Sequence, residues 1–444
     1  MTIKEHIRAN ASLALPVMLS NLGHVLMGVT DTIMVGRLGA TSLAAVGLAL
    51  VIFNVFMLFG IGVSNAITPL VAEAHGERNP RKIVNIVRHG FVINVVTAII
   101  LILIVSVGRN MLYKIGQPLE VVERSWPFLS IVMFSLLPIQ IFQTCKQFAE
   151  GMSNTRVALV VMIFTNVLNV ILNYVFIYGF MAFPALGLEG AAWATLASRI
   201  FMAIAIVFYL YNLSSFKMYR GIVKLGDYSK SIFKKMLGIG IPGGIQFILE
   251  VAAFDFSLVM MGWLGTTALA AHQIAINLAS LTYMTSAGLG AAATVRVGFF
   301  LGKRDYHNLR TSTYTMLYMV LVLMGVCAVM FMLLRTVLPT FYVTEVEVIQ
   351  LASSLLIIAG LFQLSDGVQV VCASALRGFQ DVKIPSIFIF ISYWVIGLPM
   401  GYCLSVPWGV GPMGIWLGLL IGLTFVAVAM YLRLQWKIQV LTKN

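Results

Sequence analysis

GRLGATSLAA (36–45) and GWLGTTALAA (262–271) agree at seven of ten positions and stand 226 residues apart. The same offset pairs Pro16 with Pro242, Gly62 with Gly288, Thr68 with Thr294, Val71 with Val297, Gly76 with Gly302 and Arg78 with Arg304. At 227 it pairs Cys145 with Cys372 and Gly151 with Gly378. Composition alone does not keep one spacing over such a length, so the chain is two copies of one unit.

Each copy is strongly apolar. Sixty per cent of the 444 residues are hydrophobic and 10% are charged, with a mean hydropathy of +0.96. A soluble domain carries about 25% charged residues, so three water-exposed domains are excluded. A spanning helix needs about 20 apolar residues. Such runs fall near 10–35, 45–73, 90–108, 127–149, 157–181 and 190–212, then near 236–262, 270–300, 312–334, 350–375, 385–405 and 410–434. The short alternating segments of a transmembrane barrel are absent. The expected fold is an all-α polytopic membrane protein, with twelve transmembrane helices in two pseudo-symmetric six-helix lobes. The lobes are 1–212 and 236–444, joined by a basic cytoplasmic linker, 213–235, with five Lys and one Arg. Six crossings per copy is an even number, so both lobes cross the bilayer in the same sense, as a parallel repeat. A cavity between them, suited to alternating access, is expected.

The net charge of +13 comes from 29 basic and 16 acidic residues. With both termini inside, 21 basic residues fall on the cytoplasmic side, against five outside: Arg37, Arg109, Lys114, Arg124 and Arg335. Positive residues accumulate in cytoplasmic loops, so the excess orients the chain in a lipid bilayer and is no nucleic-acid footprint. Lys4 and Arg8 before an apolar stretch resemble a signal peptide. The stretch runs to about residue 35 and belongs to the repeat, so it is expected to be retained as the first helix. Cys145, Cys327, Cys372 and Cys403 show no CxxC or Cys/His spacing, so neither a disulfide framework nor a structural metal is expected. GxxxxGK[ST], HExxH and GxSxG are missing. This speaks against ATP-driven transport by this chain and against a hydrolase. No enzyme activity and no cofactor is expected.

An ionisable residue inside a spanning helix is costly and marks a pathway or ligand site by default. Asp31, Glu250, Asp255 and Asp366 lie inside predicted helices. In the other copy Glu250 is matched by His24, Asp366 by Ile139 and Asp31 by Ser257. The scaffold is duplicated and the carboxylates are not, so the shared fold does not require them. A carboxylate in an apolar cavity holds a proton, a metal cation or an organic cation, but not comfortably two of these. That competition is a physical basis for exchange. Phe254 is four residues from Glu250 and shares its helix face. Its ring suits a cation, with ordinary packing as the alternative. Asp31 has Arg37 six residues away as an alternative ion-pair partner. Asn166, Asn169 and Asn173 form one polar stripe, which lines a cavity or bonds to a neighbouring helix. His24 is either a satisfied interior histidine or a proton relay.

DTIMVGRLG (31–39), PGGIQFILEVAAF (242–254), LAAHQIAIN (269–277) and SDGVQVVCASALRGFQD (365–381) resemble the multidrug and toxic compound extrusion (MATE) family, most of all its NorM-type bacterial branch. The resemblance implies export of organic cations and amphipathic drugs across a bacterial inner membrane, in exchange for Na+ or H+. It places Glu250 and Asp366 as the cation-site carboxylates and transient Na+ ligands, with Phe254 and Tyr283 as nearby aromatics. Asp31 matches a helix-one aspartate used in ion or substrate handling. Glu345 and Glu347 stand where the branch has an outer-loop acidic pair of Asp. A monomer is expected. The rival functions are a lipid or glycolipid flippase, an ion channel and a membrane enzyme.

Overall fold

The structure is a computed structural model that describes residues 1–114, 118–180, 184–223 and 228–443. Lys224, one of the basic linker residues, lies outside them. Among the described residues, twelve helices are long and apolar enough to cross a membrane. They are α1 (Ile3–Gly36), α2 (Thr41–Gly76), α3 (Pro80–Val107), α4 (Leu119–Gly151), α5 (Arg156–Tyr178) and α6 (Gly187–Asn212). The second set is α7 (Lys230–Trp263), α8 (Thr266–Lys303), α9 (Tyr306–Leu333), α10 (Val346–Gly378), α11 (Lys383–Ser405) and α12 (Pro412–Leu441). Helices satisfy their backbone polar groups internally, which an apolar chain in lipid requires. The twelve-helix, duplicated architecture read from the sequence is the one observed.

The chain divides into two compact units: Leu19–Gly244, and Met1–Met18 with Ile245–Asn444. In the first, α4 packs against α2, α3 and α6, and α5 packs on α6. In the second, α10 packs against α8, α9 and α12, and α11 packs on α12. These are the same neighbours shifted by six helices, so α4 and α10 hold equivalent central places, each in its own unit.

The equivalence extends to single atoms. Thr68 Oγ1 donates to the Gln147 carbonyl at 3.2 Å, and Thr294 Oγ1 to the Ser374 carbonyl at 2.8 Å. A Cβ added at Gly151 would lie 2.8 Å from Val71 Cβ, and one at Gly378 would lie 2.8 Å from Val297 Cβ. Only a residue without a side chain lets α2 and α4, or α8 and α10, approach so closely. Gly39 and Gly265 precede α2 and α8 with φ of 110° and 113°, a region that favours glycine. The repeated motif that opens the sequence thus sits at a turn whose backbone needs that residue.

Candidate cation site

The second unit brings together most of the residues that the sequence singles out. Glu250 stands on α7 and Asp366 on α10, 8% and 4% exposed. Gln369 follows Asp366 by three residues and so shares its helix face. Its Nε2 donates to Glu250 Oε1 at 2.9 Å. Its Oε1 accepts from the Tyr393 hydroxyl at 3.0 Å. Tyr393 lies in a π-helical stretch of α11, Ile391–Gly397, a widening that recurs at functional sites. From the same stretch, Trp394 Nε1 donates to the Leu249 carbonyl at 3.0 Å, tying α11 to α7 beside Glu250.

The Phe254 ring meets Tyr393 at 5.7 Å and Phe362 at 5.9 Å, edge to face in both cases. Glu250 and Asp366 lie within electrostatic reach of each other, and Tyr283 on α8 is within reach of both. Among the described residues, no Lys, Arg or His comes within ion-pairing distance of either carboxylate. The result is a buried acidic pair with one amide donor on Glu250 and aromatic rings around it. Such a group can take a proton, or a cation whose other contacts are ring faces and neutral oxygens. Asp255, the other acidic residue on α7, is exposed.

The first unit holds Asp31 in a different way. Asp31 is 7% exposed. Asn173 Nδ2 donates to its Oδ1 at 2.6 Å and Thr195 Oγ1 to its Oδ2 at 3.0 Å. The Asn173 amide also reaches Asn169 Oδ1 at 3.2 Å. Arg199 of α6, one helical turn beyond Thr195, is in electrostatic reach of Asp31. Its guanidinium donates to Ser135 Oγ at 2.6 Å and stacks over Phe53 at 4.6 Å. The nearby cation is therefore Arg199, and Arg37 makes no ion pair with Asp31 among the described residues.

Two members of the asparagine stripe join Asp31. The third, Asn166, donates to the Met162 carbonyl of its own helix at 2.9 Å. His24 stands edge-on to Phe142 at 6.2 Å, with Nε2 buried and without a hydrogen-bond partner among the described residues. A buried charge pair lies on α4, where Lys146 Nζ is 3.8 Å from Glu150 Oε1.

Several of these partners were not singled out from the sequence. Gln369 was accessible from its spacing to Asp366. Tyr393, Thr195 and Arg199 come from distant segments, and no local signal ties them to a carboxylate.

The fold and the buried carboxylates define a class: an internally duplicated, polytopic α-helical membrane protein with ionisable groups at depth. The MatE family model matches residues 16–175 and 242–403, one stretch in each copy. The chain belongs to the MatE family. It is 34% identical over 438 residues to a multidrug resistance protein MdtK of Yersinia pseudotuberculosis, covering 97% of this chain and 95% of that one. To the protein of the same name from Photorhabdus laumondii it is 33% identical over 437 residues, with coverage of 97% and 95%. A crystal structure of MATE in the bent conformation superposes with a TM-score of 0.90 at 20% identity, covering 100% of this chain and 99% of that one. That likeness shows the shared fold.

Proposed function

We propose that this protein is a multidrug efflux antiporter of the bacterial inner membrane. It exports organic cations and amphipathic drugs in exchange for Na+ or H+ by alternating access. The observation that carries this is the acidic pair Glu250 and Asp366, buried together without a fixed ion-pair partner among the described residues. Two buried carboxylates that repel each other in an apolar interior do not both stay ionised unless a proton or cation joins them. The names borne by the relatives point the same way, towards drugs as cargo.

In this scheme Glu250 and Asp366 bind the coupling ion, with Gln369 holding Glu250 in place. Phe254 and Tyr283 offer ring faces to a cation, whether coupling ion or cargo. Asp31, with Asn169 and Asn173, contributes a polar stretch of the ion or substrate pathway, to which Asn166 and His24 also belong. Binding of an external ion at the carboxylates displaces the cargo outward, and no covalent step or cofactor takes part. The protein works as a monomer with both termini in the cytoplasm.

A one-for-one swap of monovalent cations moves no net charge. The ion gradient then drives it, at about 1.4 kcal/mol per tenfold ratio. Export of a neutral drug against one cation gains about 2.3 kcal/mol more per 100 mV.

The test is dye efflux from energised vesicles under imposed Na+ or pH gradients, comparing wild type with Glu250→Gln. Gradient-dependent efflux in wild type and its loss in the variant are expected. Unchanged efflux in the variant would remove Glu250 from the site. Equal efflux without any gradient would exclude antiport.

A further inference from the structure

The charge pattern of the sequence places Arg377 among the cytoplasmic cations, and the structure puts it in the last turn of α10. It lies within α10, one residue before the helix ends, and is only partly exposed. Its guanidinium sits over the Phe247 ring, 5.7 Å from the centroid. Phe247 precedes Glu250 by three residues, so both belong to one face of α7. Along α10 the residues Asp366, Gln369 and Arg377 also fall on one face, since eleven residues make about three turns. Arg377 is in electrostatic reach of both Glu250 and Tyr283.

No described carboxylate is within ion-pairing distance of Arg377. The acid next along the chain, Asp381, is held by Arg433 at 2.8 Å and by Lys437 at 3.4 Å. Arg377 is therefore a cation with an aromatic seat, short of the acid that its charge favours. Glu250 has a fixed amide on one side, from Gln369, and a tethered positive charge within reach. In the first copy, the position 227 residues earlier is Glu150, already engaged by Lys146 on its own helix.

We propose that Arg377 is a tethered counter-cation that competes with the exchanged cation for Glu250, and that Phe247 sets the strength of this competition. With the coupling ion bound, the guanidinium rests on the ring. When the ion leaves, the guanidinium can close on the carboxylate and satisfy it without a proton or metal. The charge of Glu250 is then balanced while drug enters, until the next external ion displaces the guanidinium and the cargo. This rests on Glu250 being a coupling-ion ligand, as proposed above. Arg377 is thus a positioning residue that tunes ion affinity, not a ligand for the cargo.

The experiment measures the half-saturating Na+ concentration, and in parallel the half-saturating proton concentration, for tetraphenylphosphonium efflux from proteoliposomes. Arg377→Gln removes the competitor, so the ion that drives wild-type efflux should saturate at about tenfold lower concentration. Arg377→Lys keeps a charge but loses the planar stack on Phe247, so half-saturation should stay at or above the wild-type value and not fall as in Arg377→Gln. Phe247→Leu removes the seat and frees the guanidinium to close on Glu250, so half-saturation should rise, about threefold or more. The double variant should behave like Arg377→Gln.

A purely structural role predicts that Arg377→Gln and Phe247→Leu both lose folded protein and maximal rate, with no opposite movement in ion affinity. Either that result or unmoved half-saturation in both variants overturns the proposal. If Arg377→Gln does not fold, Phe247→Leu with unmoved half-saturation overturns it alone. Glu250→Gln serves as the control for the underlying site. If it keeps wild-type ion dependence, both proposals fall. If it loses ion dependence while Arg377→Gln matches wild type, only the role of Arg377 falls.

Discussion

The two units share a scaffold down to single hydrogen bonds and differ in how they treat buried charge. Thr68 and Thr294 make the same bond, and Gly151 and Gly378 relieve the same crowding. Yet the carboxylates of the first unit have cations built in beside them, Arg199 near Asp31 and Lys146 near Glu150. In the second unit Glu250 takes an amide hydrogen bond from Gln369, and the cation in its electrostatic reach, Arg377, is seated on the Phe247 ring and makes no ion pair with it among the described residues. Duplication supplied the frame, and the two copies differ in the buried charge that they carry. Under the proposed antiport, the acidic pair of the second unit serves exchange, while Asp31 and Glu150 of the first serve structure or coupling.

The largest expected effect separates the units by ion affinity. Asp366→Asn should raise the half-saturating ion concentration for efflux by about 100-fold, the worth of one charged ligand in a buried site. Asp31→Asn should shift it by less than about threefold, because two hydrogen-bond donors already meet that carboxylate and Arg199 lies within electrostatic reach. Its cost should appear as lower thermal stability, since Arg199 loses its counter-charge. Efflux kinetics and melting of the detergent-solubilised protein provide the two readouts. Equal changes in ion affinity would erase the distinction between the units.

A smaller effect probes what the units share. Valine at Gly151 or at Gly378 would press a Cβ to within 2.8 Å of Val71 or Val297. Overpacking of this kind typically costs about 1–3 kcal/mol. The two single variants should lose equal stability, read as matched falls in melting temperature. A large loss in one and none in the other would show that the two crossings are not mechanically equivalent.

How far the sequence reveals all this follows from the range of each signal. The 226-residue offset and the apolar runs are long and local, so the helix count and the duplication are open to inspection. Glu250, Asp366 and Asp31 stand out because a lone charge in an apolar run has no other cheap explanation. Their environments do not stand out. Tyr393 reaches Gln369 from 24 residues away, and Thr195 reaches Asp31 from 164. Helical spacing is blind to such contacts, because they depend on how helices pack. The asparagine stripe shows the same limit inside one helix. Spacing gives Asn166, Asn169 and Asn173 a common face, but a backbone carbonyl one turn away takes the amide of Asn166. The apolar run ends near 375 while α10 continues to Gly378, so the charge pattern puts Arg377 on the cytoplasmic side and is silent on its seat over Phe247.

The smallest effect concerns the caps of α3 and α9, where the copies share a position and differ by one atom group. Asn79 Oδ1 accepts from the Lys82 amide at 3.0 Å, and 226 residues later Asp305 Oδ1 accepts from the Asn308 amide at 3.1 Å. Replacing either by Ala should cost about 1 kcal/mol at neutral pH. Only the second cap titrates. Burial disfavours the charged form of Asp305, but hydrogen bonds from the Asn308 side chain and backbone, with Lys303 nearby, outweigh it. They hold the carboxyl below its ordinary 3.8. A carboxylate held low in the folded state stabilises fully above its unfolded value and loses that contribution as pH falls through the folded one. The melting-temperature gap between wild type and Asp305→Ala should therefore be constant from about pH 7 to about pH 5 and narrow below about pH 4. The gap for Asn79→Ala should not narrow, because an amide has no proton to gain over that range. Parallel narrowing in both variants would place the acid sensitivity elsewhere and leave the two caps indistinguishable.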